Sequence, residues 1–435
     1  MNWLDEANFV RMQARLNNEM FGSFIPLIAS ENVESPLCQE MLLTDFHGRY
    51  AEGTPDMRYY QGCKYFDEVE KKAMELAKRL FNCSYANVQT LSGTVANMAM
   101  FKSLTKPGGK LLALDTAAGG HISAGKYGAA GFRGLAIITF PFDEEKWNID
   151  VDKSVKLIET ERPNLTLAGG SVILFPIPLK EIAEATKAID SYMAFDGAHV
   201  LGLIGGKHFQ DPLHEGAQVM TASTHKTFPG PQGGIVLANP DLDTEEGKKF
   251  ARRLDFGCFP GVTSNYHLHH VAAKAVVLAE HLEFGEAYAK QTIANAKAFA
   301  QALWERGFQV LCEPYGFTES HQVLLRIGKP NEGKGKWASE KLEDGGLITN
   351  QEILPGDKSP TFTSGLRLGT QELTRIGMKE KDMEDVAEFM KQVLLDKKNP
   401  AKVKEKIKEF RKDFQFIHYC FHADEWKAYE YRKLI

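Results

Sequence analysis

The chain lacks most of the features that would place it outside the ordinary globular enzymes. Six cysteines in 435 residues (Cys38, Cys63, Cys83, Cys258, Cys312 and Cys420) form no CxxC and no framework spacing. That argues against a disulfide scaffold and for reduced thiols. No apolar run approaches the ~20 residues that cross a bilayer. The first residues, Met1-Asn-Trp-Leu-Asp-Glu, have neither the basic stretch nor the apolar core of a secretory signal, so a cytoplasmic location is expected. Positive charge is not in excess: 52 Lys and Arg against 57 Asp and Glu leave a formal net charge of −5. A nucleic-acid partner, which needs cationic surface to offset phosphates, is not expected. The run Tyr266-His-Leu-His-His270 places His267 and His270 at i, i+3, but no carboxylate or cysteine accompanies them at a ligand spacing. No metal is expected there.

What is present is a chain of 43% apolar and 25% charged residues, long enough for two or three domains with a large core. Its most informative stretch runs from Met220 to Gly234, Met-Thr-Ala-Ser-Thr-His-Lys-Thr-Phe-Pro-Gly-Pro-Gln-Gly-Gly. Apolar runs at Ala217–Met220 and Ile235–Ala238 bracket it, so Lys226 is placed at a strand end on a turn rich in Pro and Gly. An arbitrary loop lysine is surface charge. Here Ser223, Thr224, His225 and Thr227 surround it with small hydrogen-bonding groups suited to an anion or a polar ring, and the glycines allow close backbone approach. A lysine with a lowered pKa can condense with a carbonyl, and pyridoxal phosphate is the commonest cofactor tethered so. That cofactor needs an acid at its ring nitrogen. Asp196, which ends the apolar run Met193-Ala-Phe and precedes Gly-Ala-His199, is the candidate.

Four other segments carry candidate chemistry. The loop Gly48–Cys63 holds Tyr50, Glu52, Arg58, Tyr59 and Tyr60, and connectors this dense in aromatic and ionisable groups tend to be sites. Ser92-Gly93-Thr94 lies between a short strand and a helix, where backbone N–H groups and the helix dipole receive a phosphate. Ser30 ends an extended apolar segment and reads as a helix cap before about Pro36. Arg367, in Thr363-Ser-Gly-Leu-Arg-Leu-Gly-Thr370, can grip a carboxylate with two parallel bonds.

Taken together, Asp196-Gly-Ala-His199, Ser223-Thr-His-Lys226-Thr with Gly230-Pro231, and Tyr50-Ala-Glu52-Gly…Arg58-Tyr-Tyr-x-Gly62 resemble serine hydroxymethyltransferase, in its archaeal branch. The resemblance extends over nearly the whole chain. It implies an α/β enzyme of PLP fold type I, like aspartate aminotransferase, with a mostly parallel seven-stranded sheet and a smaller α+β C-terminal domain. It also implies the cofactor as a Schiff base on Lys226, with Asp196 at the ring nitrogen and His121 stacked on the ring. Ser92, Gly93, Thr94, Ser171, His199, Ser223, His225 and Tyr50 complete the cofactor shell. Ser30 and Arg367 hold the substrate carboxylate. Glu52 moves the proton of the substrate hydroxyl, and Tyr50 and Tyr60 reach the site of a neighbouring subunit, making a homodimer with shared sites. The expected reaction interconverts serine and glycine and passes the hydroxymethyl carbon to a tetrahydropterin, of the folate or methanopterin type. Thr116, Gly120, Ile122 and Gln351 are the expected pterin contacts. Gln232, Thr263-Ser264-Asn265 and Asn350-Gln351 depart from the bacterial and eukaryotic pattern. The rival reading is a pterin-independent aldolase or transaldolase acting on β-hydroxy amino acids, whose sequences share Phe317-Thr-Glu-Ser-His-Gln322 and Gly377-Met-Lys-Glu-Lys-Asp382.

Strand–helix alternation over 85–240 predicts a doubly wound sheet. The expected division is an N-terminal arm (1–40), a large cofactor-binding domain (41–270) and a small domain (271–435), with linker helices over 266–305. The tail from Asp382 is expected to be helical.

Overall fold

The structure, a computed structural model, describes residues 2–434. Its centre is a seven-stranded sheet built from β1 (Tyr85–Asn87), β2 (Lys110–Ala113), β3 (Ala136–Thr139), β4 (Leu165–Gly169), β5 (Tyr192–Asp196), β6 (Val219–His225) and β7 (Pro229–Ala238). The spatial order is β1-β7-β6-β5-β4-β2-β3. β3, β2, β4, β5 and β6 run parallel, and β7 and β1 are antiparallel to their neighbours. β4 and β5 are buried over nearly their whole length, as expected for strands covered on both faces. The prolines of Pro229-Gly-Pro231, read from sequence as a turn, lie inside β7 instead. β1 pairs only with Val236–Ala238, so this part of β7 is hydrogen-bonded on one side and tolerates residues without an N–H.

Five helices matter for the site. α1 (Trp3–Ser23) is amphipathic yet buries no residue, leaving Trp3, Leu4, Phe9 and Val10 exposed. α2 (Lys64–Leu80) packs on the sheet through Phe66, Ala73, Ala77 and Leu80. α3 (Gly93–Leu104) begins beside β6, capped by the Ser92 hydroxyl, which accepts from the Val95 N–H. α4 (Glu245–Cys258) packs on α3. α5 (Leu268–Glu305) is a single helix of 38 residues, where the sequence suggested several. Its first half joins the large core through Val271, Val277 and Leu278, and its second half joins another core through Ala296, Phe299 and Leu303.

That second core surrounds a four-stranded sheet of β8 (Gln309–Val310), β9 (Gln322–Arg326), β10 (Asn350–Glu352) and β11 (Gly365–Gly369), in the order β8-β9-β11-β10. It also takes Ile25, Leu27 and Val33 from the N-terminal segment. Ile25–Pro26 forms a short parallel ladder with Leu347–Ile348, so residues 25–33 pack with the C-terminal region. Helices at Asp382–Leu394 and Pro400–Phe410 bear out the helical tail, but the described residues beyond Phe414 form turns and one isolated bridge. Among the described residues no helix is long and apolar enough to cross a membrane.

Candidate active site

The carboxyl ends of the parallel strands converge on one cavity of about 190 Å³, lined by Ser92, Gly93, Thr94, Asn97, His121, Asp196, Ala198, Ser223, His225, Lys226 and Gln232. Strand ends are where an open α/β sheet binds its ligand. The cavity is smaller than the ~300–1,000 Å³ of drug-sized pockets, so it suits one ring and a phosphate. A larger hollow of about 760 Å³ lies at the other end of these strands, beside Tyr192, Gln218, Asn239 and Arg253. It holds none of the convergent groups.

Lys226 follows β6 directly and is buried, and burial pulls its ammonium down to about 8, with Arg367 helping and Asp196 opposing. Such a lysine is a nucleophile near neutrality. Asp196 ends β5; its Oδ2 accepts from Asn97 Nδ2 at 2.7 Å and its Oδ1 from the Ala198 N–H at 3.1 Å. Asn97 is a site residue that the sequence reading missed. Its Oδ1 accepts from the Thr221 hydroxyl (2.5 Å), and its amide also reaches Ser123 Oγ (3.0 Å). The available signal was one amide among small and apolar residues, Val95-Ala-Asn97-Met-Ala, directly after the phosphate turn.

His121 caps a short turn: its Nδ1 accepts from the Ser123 N–H (3.1 Å) and bonds Ser123 Oγ (2.7 Å). The ring proton is thereby placed on Nε2, and burial keeps the imidazole neutral by lowering its pKa. His225 is held down to about 4 by burial and then by Lys226. Gly93 presses on β6 so closely that a Cβ there would collide with Ser223 Oγ. Nothing larger fits, and the first turn of α3 is left as a backbone cradle beside Ser223.

Other expected residues stand behind or beside the cavity. His199 is buried, with Nδ1 3.0 Å from Gln322 Nε2 and its ring stacked on His321. Arg367, on β11, donates to the Ser171 carbonyl at 3.1 Å. Its Nε lies 3.3 Å from the Glu352 carboxylate but is not aligned for a hydrogen bond, so this is a charge contact only. Ser30 sits half-buried in a turn whose neighbours are pinned. The Ala29 carbonyl accepts from His321, the Ile28 and Glu31 carbonyls accept from Gln371, and Asn32 donates to the Lys226 carbonyl at 2.6 Å. Thr116, Gly120 and Ile122 lie on the loop after β2, with Ile122 more than half exposed. Gln351 accepts from the Thr363 hydroxyl at 3.3 Å, and its neighbour Asn350 pairs in register with Arg367.

The loop from Gly48 to Cys63 does not reach the cavity of its own chain. Arg58 is its anchor: the buried guanidinium pairs with Asp67 (2.8 Å) and Glu70 (2.6 Å) and donates to the Ala51 and Gly53 carbonyls and the Tyr266 hydroxyl. Glu52 accepts from the Ser264 hydroxyl at 2.5 Å, and Asn265 bonds the backbone of Ala51 and Arg49. Tyr50 and Tyr60 meet ring to ring at 5.1 Å, tilted by 49°, and are about half exposed. Nearby, His47, His267, His269 and His270 touch ring to ring, and His270 bonds the Gln232 carbonyl. Among the described residues no group of three or more His, Cys, Asp or Glu can hold a metal ion.

Comparison with known proteins gives the family. Residues 11–390 match the family model described as serine hydroxymethyltransferase. The chain is 52% identical over 435 residues to the serine hydroxymethyltransferase of Methanocaldococcus jannaschii, covering 99% of each chain. It is 51% identical to that of Thermococcus kodakarensis, covering 91% of this chain and 92% of the other. Among solved structures it is similar to the L-threonine transaldolase of Pseudomonas fluorescens in its internal aldimine state. The TM-score is 0.84 and the identity 28%, with 96% of this chain and 93% of that one covered. An α/β fold with these strand-end residues, matched along nearly its full length by proteins of one kind, leads to one conclusion: the chain belongs to the serine hydroxymethyltransferase family.

Proposed function

We propose that this protein interconverts serine and glycine with pyridoxal phosphate, passing the hydroxymethyl carbon to a tetrahydropterin. The observation that carries the reading is the buried Lys226, lowered to about 8, opposite the amide-held carboxylate of Asp196 across a one-ring cavity. The donor set fits the cofactor. The α3 cradle with Ser92, Gly93, Thr94 and Ser223 suits its phosphate, Asp196 its ring nitrogen, His121 a ring face, and His199, His225 and Ser171 the remaining shell. When bound, pyridoxal phosphate supplies a carbonyl for the amino group and a ring that accepts the electrons released at Cα.

The chain's own groups do the rest. Arg367 and Ser30 hold the substrate carboxylate and fix which Cα bond faces the ring. Neutral Lys226 accepts or returns a proton. Glu52 handles the proton of the serine hydroxyl, acting with Tyr50 and Tyr60 across a homodimer interface, which accounts for a loop that stands clear of its own cavity. Thr116, Gly120, Ile122 and Gln351 flank the space where the pterin would lie.

The test is glycine formation from serine with tetrahydrofolate, with a tetrahydromethanopterin and with neither. Glu52→Gln should cost about 10²–10⁴ in pterin-dependent turnover, the range for losing a general acid or base. It should keep cofactor binding and most cleavage of phenylserine. The likeness to a transaldolase favours the second reading, an aldolase or transaldolase without pterin. Equal rates with and without pterin, or a Glu52→Gln protein of normal serine turnover, would establish it instead.

A further inference from the structure

Phe317-Thr-Glu-Ser-His-Gln322 enters β9, far in sequence from every site motif. Yet Gln322 is fully buried, and its one carboxamide makes three hydrogen bonds to the large domain. Oε1 accepts from the Ile173 N–H at 2.8 Å; Nε2 donates to the Ser171 carbonyl at 2.8 Å and faces His199 Nδ1 at 3.0 Å. The orientation is not interchangeable. A backbone N–H can only donate and a carbonyl can only accept, so the amide nitrogen must be the end that meets His199. His199 Nδ1 must then accept, which leaves its proton on Nε2.

The Ser171 carbonyl has two lone pairs and takes a second donor, Arg367, at 3.1 Å. β9 and β11 are paired so that Gln322 faces Gly369 and Leu324 faces Arg367. One carbonyl of the large domain is therefore held by two side chains of the small sheet. The preceding residue, His321, stacks on His199 and bonds the Ala29 carbonyl at 3.1 Å, next to Ser30.

We infer that Gln322 is a positioning residue: it fixes His199 in the Nε2–H tautomer and, through the Ser171 carbonyl, sets Arg367 at the distance at which it receives the substrate carboxylate. The inference rests on the amino-acid reading of Arg367 given above. Loss of the amide leaves the Ile173 N–H and His199 Nδ1 without a partner and the Ser171 carbonyl with Arg367 alone, a loss that falls first on substrate binding and does not touch the phosphate cradle of Ser92, Gly93, Thr94 and Ser223.

The experiment compares holoenzyme with Gln322→Met, which matches its length without the bonds, and Gln322→Glu, which keeps its size and polarity. In Gln322→Met the KM for serine should rise about tenfold or more, the scale for an unpaired buried group. The dissociation constant of pyridoxal phosphate, whose phosphate cradle and Lys226 are not touched by Gln322, should rise by a smaller factor than the KM. In Gln322→Glu, histidine-labelled protein should show one imidazole gaining a proton at Nδ1 by nitrogen-15 resonance, because a carboxylate can only accept. If Gln322→Met fails to fold, Gln322→Glu carries both measurements. KM within twofold of wild type in both variants overturns the inference, as does a rise in KM matched or exceeded by the loss of cofactor affinity. Unchanged histidine spectra in Gln322→Glu overturn the tautomer half. A wild type that makes no glycine from serine with any pterin overturns the functional reading instead, while the resonance measurement still decides the state of His199.

Discussion

At the scale of single residues, the site consists of ordinary groups displaced from their ordinary states by burial. Lys226 is the clearest case, held at about 8 where a free lysine titrates near ~10.4. Condensation with an aldehyde needs the neutral amine, so cofactor-free protein should react with pyridoxal at a rate that rises with pH and levels off above about 8. A midpoint near that of free lysine would contradict the burial seen here. Asn97 has a different task, holding the Asp196 carboxylate in place by donating to its Oδ2. Asn97→Ala frees Asp196 Oδ2 and leaves the Thr221 hydroxyl and Ser123 without their amide. Charged hydrogen bonds are worth ~1.5–3 kcal/mol, so cofactor affinity in an absorbance titration should fall by about ten- to a hundredfold. Nothing in the sequence set Asn97 apart as a ligand of Asp196, because the two are 99 positions apart and meet only when α3 crosses the sheet. Lys226 and Asp196 were legible because each sits at a strand end, and the Ser92-Gly93-Thr94 turn because it opens a helix, all marked by their own local residues.

At the scale of elements, local pattern and long-range pairing part company. The parallel strands were readable as short apolar runs, and α2, α3 and the helix at Leu179–Ala188 as periodic ones. The prolines of β7 were not, since proline in a strand depends on which edge is left unpaired. The Gly48–Cys63 loop stood out by its composition, but the separate employment of its charges was hidden. Arg58 faces inward to Asp67 and Glu70, and Glu52 outward to Ser264. Arg58→Met would strand two buried carboxylates and should lower stability by about 3–5 kcal/mol, as for other broken buried pairs. The denaturation midpoint should fall, with Glu52-dependent turnover lost alongside it. An unchanged midpoint would mean that the loop is anchored elsewhere.

At the scale of the whole molecule, two surfaces are unfinished in one chain: the apolar side of α1 and the Tyr50–Tyr60 face. Both are expected to be covered by a second copy. Lys226→Ala and Tyr60→Phe proteins, each inactive alone, should regain activity when mixed under conditions of subunit exchange, because one site in each hybrid dimer is then intact. No recovery would place the tyrosines outside any shared site. The long helix α5 has a mechanical consequence of its own. At 1.5 Å per residue its 38 residues form a strut of about 57 Å, embedded in both cores without a proline along its length. A strut cannot fold at its middle without breaking its own ladder. Any closing of the smaller lobe on a substrate must therefore act as a lever about this axle, with the slack taken up between Val33, in the smaller core, and Cys38, in the larger.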